Sequence, residues 1–376
     1  MYRTGYANLP LHGGAVPKWL FKRMVSLSEA IIDSINLEYG KKEFLRRISD
    51  PFWFQCLSCV LGFDWHSSGT TTVTCGALKE ALKPEYIGIA IAGGKGKTSR
   101  KTPMEIEKFG DIFNFSTSKI EELIYNSRIT AKVDNSAIQD GYNLYHHVFF
   151  LTEDGLWSVI QQGLNNETNY ARRYHWFCDD FEDFLCNPHN SILGSILGAE
   201  NKLKVLDMSS KYSKDCQRVC VDIVNDNPVH LKDDYFIISN NNFYQTRLDC
   251  LNKSHEKNII CLDLPRSINW NIMRKIYDFQ PNNYEELISI KGVGSNTIRA
   301  LALISELIYG SKPSWKDPVK YSFTVGGKDG VPFPVDRQVM DNVTEMIKSG
   351  IKDAKINNKQ KIDAIKRLKN FVKTPN

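Results

Sequence analysis

A chain of 376 residues, 42% of them hydrophobic, is long enough for two domains and a sizeable core. Its formal charge of +5, from 48 basic and 43 acidic residues, is too mild to make the whole surface a polyanion receptor, so any nucleic-acid site has to be local. Nine scattered cysteines and a start without a long apolar run argue against a disulfide framework and secretion. No apolar run approaches the roughly 18 residues of a membrane span; the nearest, Ile298 to Tyr309, is broken by Arg299 and Glu306. A reduced, cytoplasmic protein is expected.

After a Gly-, Pro- and aromatic-rich opening (Met1 to Pro17), the spacing of Leu20, Phe21, Met24, Leu27, Ile31 and Ile35 predicts a helix over 18–35. Around Asp64-Trp65-His66-Ser67-Ser68-Gly69 polar groups gather; Thr70 to Thr74 favours an extended segment and Gly76 to Lys83 a helix. Tyr86 to Ala92 reads as a strand running into the flexible basic loop Gly93 to Lys101, whose Lys95, Lys97, Arg100 and Lys101 could hold an anion. Leu144 to Leu151 and Trp157 to Ile160, on either side of Thr152-Glu153-Asp154-Gly155-Leu156, predict a β-hairpin. Residues from about Asn190 to Asn258 are polar and weakly periodic. Beyond Leu264 the pattern is helical, ending in an amphipathic Lys-rich stretch from Ile351 to Val372. The expected class is α+β: a mixed α/β part at 1–195 containing an antiparallel hairpin, a connection at 196–262, and a mainly helical part at 263–376.

The sharpest motif lies in that last part. Two helical patterns, carried by Leu287, Ile290, Thr297, Ala300 and Leu301, meet across Lys291-Gly292-Val293-Gly294-Ser295-Asn296-Thr297. Glycines suit a turn whose main-chain N–H groups must approach a phosphate without a Cβ in the way, and the helix that follows points its positive end at the anion. An ordinary helix–turn–helix connection is the plainer alternative. The segment from Tyr284 to Leu301 resembles the helix-hairpin-helix of the endonuclease III-like DNA glycosylase superfamily and of many repair nucleases. That resemblance implies backbone-holding on duplex DNA. It also implies a catalytic carboxylate at Asp336, in Pro334-Val335-Asp336-Arg337, for base release without lyase chemistry, because Asn296 stands where lyase-competent members carry lysine. Asp336 as a plain helix N-cap is the competing reading.

The N-terminal part offers Asp134, Gln139, Asp140, His146, His147, Gln161 and Gln162 around the expected hairpin. On a strand one of the two histidines faces a site and the other a core. Asp134 and Asp140 are candidate ligands for a hard cation, Mg²⁺ or Mn²⁺, with His147, Gln161, Asp64 and His66 as further catalytic candidates in a phosphodiester hydrolase. No organic cofactor is indicated. Arg172, Arg173, Tyr174, His175 and Trp176 combine guanidinium forks with rings able to stack on bases. Cys56 and Cys59, spaced like metal ligands, sit in an apolar pattern and read as structural thiols. From Arg3 to Gly14, Asp64 to Gly69 and Ala171 to Trp176, the arrangement resembles a largely archaeal family known as domain of unknown function 763, over nearly the full length. The expectation is a DNA-processing or repair protein, a nuclease or related hydrolase acting on damaged or branched duplex DNA. A DNA glycosylase without lyase activity, a non-catalytic DNA-binding factor, and RNA as ligand stay open as alternatives, as does the oligomeric state.

Overall fold

In the computed structural model the described residues are 9–11, 16–63, 67–189, 191–193, 205–240, 264–265 and 267–319. The chain enters with strand β1 (Leu9–Pro10) and a long helix α1 (Lys18–Ser49). Its buried stripe, Met24, Leu27, Ile31, Ile35, Phe44, Leu45 and Ile48, continues past the expected end at residue 35, with Gly40 (φ +82°) absorbing a kink. Asp50 then caps α2 (Pro51–Val60), accepting from the amides of Phe52 and Trp53 at 2.8 and 3.3 Å, with Pro51 at the first helical position.

Thr70 to Thr74 is a correction: the segment is not extended but forms the start of α3 (Gly69–Ala81). Propensity loses to packing here, because Thr70, Thr71 and Thr74 turn their side chains into the interior and their hydroxyls find partners there. Helix α4 (Pro84–Ile87) leads to strand β2 (Ile89–Lys95), and the basic segment expected to be a flexible loop is a tight helical turn, Gly96–Lys101. Helices α5 (Thr102–Ile112) and α6 (Thr117–Lys132) follow, then a single π turn (Val133–Ala137) and the short strand β3 (Ile138–Gln139).

The expected hairpin is present as β4 (Asn143–Thr152) and β5 (Trp157–Asn165), extended by β6 (Tyr170–Phe177) and the short β7 (Ile192–Leu193), while β8 (Leu206–Asp207) pairs with β3 in a separate two-stranded sheet. The helices α7 (Lys214–Asn225), α8 (Pro228–Asn240), α9 (Trp270–Phe279), α10 (Tyr284–Ser289) and α11 (Ser295–Leu307) complete the described chain. The fold is mixed α+β with a helical C-terminal part, as expected. Among the described residues no helix is long and apolar enough to cross a membrane.

One antiparallel sheet, in the order β1-β6-β5-β4-β2 with β7 also on β6, is covered on both faces. Ile89, Ile91, Val148, Phe150, Ile160 and Phe177 share a core with α1, α2 and α3. The alternate residues Ala90, Ala92, Phe149, Leu151, Val159, Tyr174 and Trp176 share a second core with α5, α6 and the C-terminal helices. That second core draws residues from 1–195, 196–262 and 263–376 alike.

Phe150 is fully buried against α1 and meets Phe44 edge-on. A Phe150→Ala protein is expected to lose about 3–5 kcal/mol of stability, read as a lower urea midpoint.

Candidate functional site

The hairpin between α10 and α11 is built in a way that exposes amides. Asn283 caps α10, accepting from the Glu286 amide at 2.9 Å, while Glu286 reaches back to the Asn282 amide at 2.8 Å. The Val293 amide closes the turn onto the Ile290 carbonyl at 3.1 Å, and the Val293 side chain is buried in the core that holds Leu287, Ala300 and Leu301. Gly292 sits at φ +103°, where L side chains rarely go, and a Cβ there would stand 2.8 Å from Ile272 Cδ1. Gly294 opens α11 with no side-chain cap, and the first amides of the helix, those of Ser295, Asn296 and Thr297, have no acceptor among the described residues.

The carbonyls of the same hairpin are engaged. Lys132 Nζ donates to the Val293 carbonyl and, at 3.4 Å, to that of Ile290, and Gln139 Nε2 donates to the Ser295 carbonyl at 2.8 Å. Arg299 in turn fixes Gln139 through its Oε1 at 2.8 Å. Lys291, Gly292 and Asn296 are exposed, and a Cβ on Gly294 would meet nothing within 4 Å.

The sheet brings most of the N-terminal candidates into two adjacent rows. In one, Lys95, His146, Gln162 and Arg173 stand opposite one another across β2, β4, β5 and β6; in the next, Gly94, His147, Gln161 and Tyr174 do so. The rows face opposite sides, so the two histidines part as strand geometry requires. Both are buried. His147 is fully bonded: its Nδ1 meets Gln161 Oε1 at 3.0 Å and its Nε2 meets Ser127 Oγ at 2.8 Å. His146 has both ring nitrogens without a partner among the described residues, and burial, then the neighbouring His147 and Lys95, push its pKa down to about 3.

Arg172 and Arg173, expected as forks for phosphate, are instead sealed inside at 0% exposure, because β6 is covered on both faces. Arg172 donates to Asp140 Oδ2 at 2.7 Å and to both oxygens of Asp317, at 3.0 and 2.8 Å. Burial works against its charge, but the two carboxylates outweigh it and raise its pKa above the ordinary value. Arg173 donates to His175 at 2.8 Å, Gln55 at 2.9 Å, and Thr71 and the Pro51 carbonyl at 3.3 Å, with its guanidinium over the Phe54 ring. None of those partners is a carboxylate, and burial pushes its pKa down to about 9.

Asp134 and Asp140 do not converge on a cation. Asp134 accepts from Gln161 Nε2 at 2.6 Å, Trp176 Nε1 at 2.8 Å and His189 Nε2; Asp140 accepts from Arg172, from Tyr174 at 2.6 Å and from the Tyr142 amide at 3.1 Å. N–H and O–H donors, one of them cationic, occupy the places a divalent ion would need, so the pair does not fit Mg²⁺ or Mn²⁺. Among the described residues no group of three or more His, Cys, Asp or Glu is arranged for a metal. Cys56 and Cys59 are free thiols, Cys56 buried.

The basic turn keeps its cations exposed: Lys95, Lys97, Arg100 and Lys101 all reach solvent at the end of β2. Asp64, His66 and Asp336, and the helix expected over 351–372, lie outside the described residues. Ser127, His189 and Asp317 were not legible as site residues. Each reaches its partner through tertiary packing, Ser127 20 positions from His147 and Asp317 145 from Arg172, and no local spacing signals such a pair.

The sheet and its polar rows thus define an α+β protein in which helices cover both faces of one antiparallel sheet and a helical hairpin shares one of the two cores. The sequence matches the family DUF763, protein of unknown function, over residues 5–335, and the chain belongs to that family. No curated protein and no solved structure matches it.

Two outcomes follow from the buried charges. Arg172→Met leaves Asp140 without its cation and is expected to cost about 3–5 kcal/mol in urea unfolding, with part recovered by adding Asp140→Asn. His146 has a folded pKa of about 3 against an ordinary 6.5, so the unfolded chain binds the extra proton and stability falls as pH drops below 6.5. His146→Leu should flatten that acid limb in denaturation midpoints taken from pH 7 down to 4.

Proposed function

We propose that this protein processes DNA, holding the phosphate backbone of a duplex through the 292–297 hairpin while its α/β part acts as a phosphodiester hydrolase. The observation that carries the reading is the division of labour in the hairpin: its carbonyls are tied down by Lys132 and Gln139, and its leading amides have no acceptor among the described residues, on a helix start without a side-chain cap at which Asn296 is exposed. A phosphate oxygen satisfies such amides and gains from the positive end of α11, a helix of 13 residues. This is the backbone-holding mode of the helix-hairpin-helix that residues 284–301 resemble.

The basic turn supplies a second electrostatic contact. Lys95 is paired in the ladder with His146, next to His147, whose partner Gln161 binds Asp134 of the π turn; that turn passes directly into β3, where Gln139 binds the hairpin. Turn and hairpin therefore sit at the same end of the sheet. A polyanion lying across that end meets exposed cations at one side and free amides at the other, which suits positioning contacts to phosphate and not base readout. Repair of damaged or branched DNA is the setting we favour.

Gly294 offers a clean test, since a side chain there enters open space and its φ of −139° is available to any residue. Gly294→Val should leave the thermal midpoint unchanged and weaken binding to a duplex oligonucleotide about tenfold, or about 1.4 kcal/mol, by covering the amides. Gly292→Ala, by contrast, should destabilise the fold through its strained φ and its contact with Ile272. Lys291→Glu and Lys97→Glu should each reduce the slope of log K against log salt by about 1. Unchanged affinity and an unchanged slope in all three surface variants would sink the reading.

A further inference from the structure

The buried row on the α6 side contains a directed chain of hydrogen bonds. Asp134 accepts from Gln161 Nε2 at 2.6 Å, which fixes the Gln161 amide with Oε1 towards His147 at 3.0 Å. An acceptor at that position requires the proton of the neutral imidazole on Nδ1. Nε2 is then a lone pair, and its hydrogen-bond partner among the described residues is the Ser127 hydroxyl at 2.8 Å, which must donate to it. Ser127, His147, Gln161 and Asp134 thus have the polarity of a nucleophile, its base, and an orienting amide and carboxylate.

We infer that Ser127 and His147 are the catalytic nucleophile and general base for phosphodiester cleavage, with Gln161 and Asp134 as positioning residues. The inference rests on the hydrolase reading above and names its reacting atoms. Ser127 Oγ forms a bond to phosphorus, its proton passes to His147 Nε2, and the phosphorus–oxygen bond to one sugar breaks as that proton is returned to the leaving oxygen. Water, deprotonated by the same nitrogen, then attacks the phosphorus of the seryl phosphodiester, the Oγ–phosphorus bond breaks, and the proton returns from Nε2 to Ser127 Oγ.

Geometry places this pair, Ser127 at 3% and His147 at 8% exposure, inside the protein and beside the basic turn. The ladder partner of His147 on β2 is Gly94, so no β2 side chain flanks the imidazole there; the neighbour is Thr98, whose Cγ2 lies 3.1 Å from where a Gly94 Cβ would be. Thr98 is exposed and belongs to the turn that presents Lys97, Arg100 and Lys101. His147 itself keeps 8% exposure. A phosphate drawn to those cations is drawn to the turn that packs beside the His147 ladder position. Burial lowers the His147 pKa, which keeps the ring in the neutral form a base needs.

The test uses the full chain and diisopropyl fluorophosphate, with peptide mass spectrometry locating the adduct. Phosphorylation of Ser127, with loss of fluoride, is expected, absent in Ser127→Ala and at least about tenfold slower in His147→Gln. In Gln161→Leu the pH of half-maximal labelling should move down, because the Gln161 carbonyl favours the protonated ring; Asp134 is the other charged group acting on it, and His146 stands next to it on the strand. Should His147→Gln fail to fold, Ser127→Cys replaces it: iodoacetamide should alkylate Cys at 127 in the folded protein faster at pH 7 than an unactivated thiol. Native protein without a Ser127 adduct, labelling that ignores His147, or an inert thiol in Ser127→Cys overturns the inference. Duplex binding and nicking are measured on the same samples: binding that persists in Ser127→Ala while nicking stops supports it, binding without an adduct defeats it and leaves the hydrolase reading needing another centre, and loss of duplex binding in Gly294→Val's absence, in the wild type itself, defeats both.

Discussion

A guanidinium sealed in the middle of a sheet has to be matched by charge from inside the protein, and Arg172 is matched twice. Asp140 lies just before β4 and Asp317 lies beyond α11, so a single side chain of β6 joins the start of the hairpin to the last described stretch of the chain. Removing two carboxylates and a guanidinium from water costs more than their attraction returns unless the geometry is good, and the bidentate grip of Asp317 supplies that geometry. What such a triad provides is definition: the segment carrying Asp317 has one place to go. Ser314, three residues earlier, accepts from the Asp207 amide at 2.9 Å and donates its own to Ser213 at 2.8 Å, so the same stretch is pinned to β8 and to the turn before α7.

This arrangement explains how a hairpin that exposes Lys291, Gly292 and Asn296 can be rigid enough to present amides. The α10–α11 pair shares its core with the sheet through Leu287, Ile288, Val293, Ile298 and Leu301, and α6 and β3 brace its carbonyls. Order in the hairpin is therefore inherited from the sheet, not from the short helix α10, whose six residues are too few to be stable alone.

The sequence made the hairpin of strands, the pair of helices at 284–301 and the class of the fold legible, because each depends on local periodicity and on glycine placed where a turn needs it. It misjudged Thr70 to Thr74, where β-branched residues prefer strands but α3 buries them. It also gave Arg172 and Arg173 to solvent. A run of Arg-Arg-Tyr-His-Trp carries no sign that both faces of its strand will be covered, since the helices doing so come from α1 to α3 on one side and from α6 and the C-terminal part on the other. Ser127 shows the same limit: on α6 it is one more small polar residue, and only the packing of α6 on β4 makes it a partner of His147.

Full enclosure of the sheet has a chemical consequence. A buried polar group costs free energy unless it is hydrogen-bonded, and the carboxylates Asp134 and Asp140 beside the sheet take N–H and O–H donors in the places a metal would use. The same demand imposes direction on the chain from Asp134 through Gln161 to His147: an acceptor-only carboxylate at one end forces each amide and ring to face one way, and the last link needs a donor, which Ser127 provides. Across the ladder, His146 faces the opposite core with neither ring nitrogen bonded among the described residues, so burial alone does not impose that order. Two adjacent histidines of one strand, both buried, thus differ in whether anything aligns them, and it is the aligned one that has a hydroxyl at its Nε2.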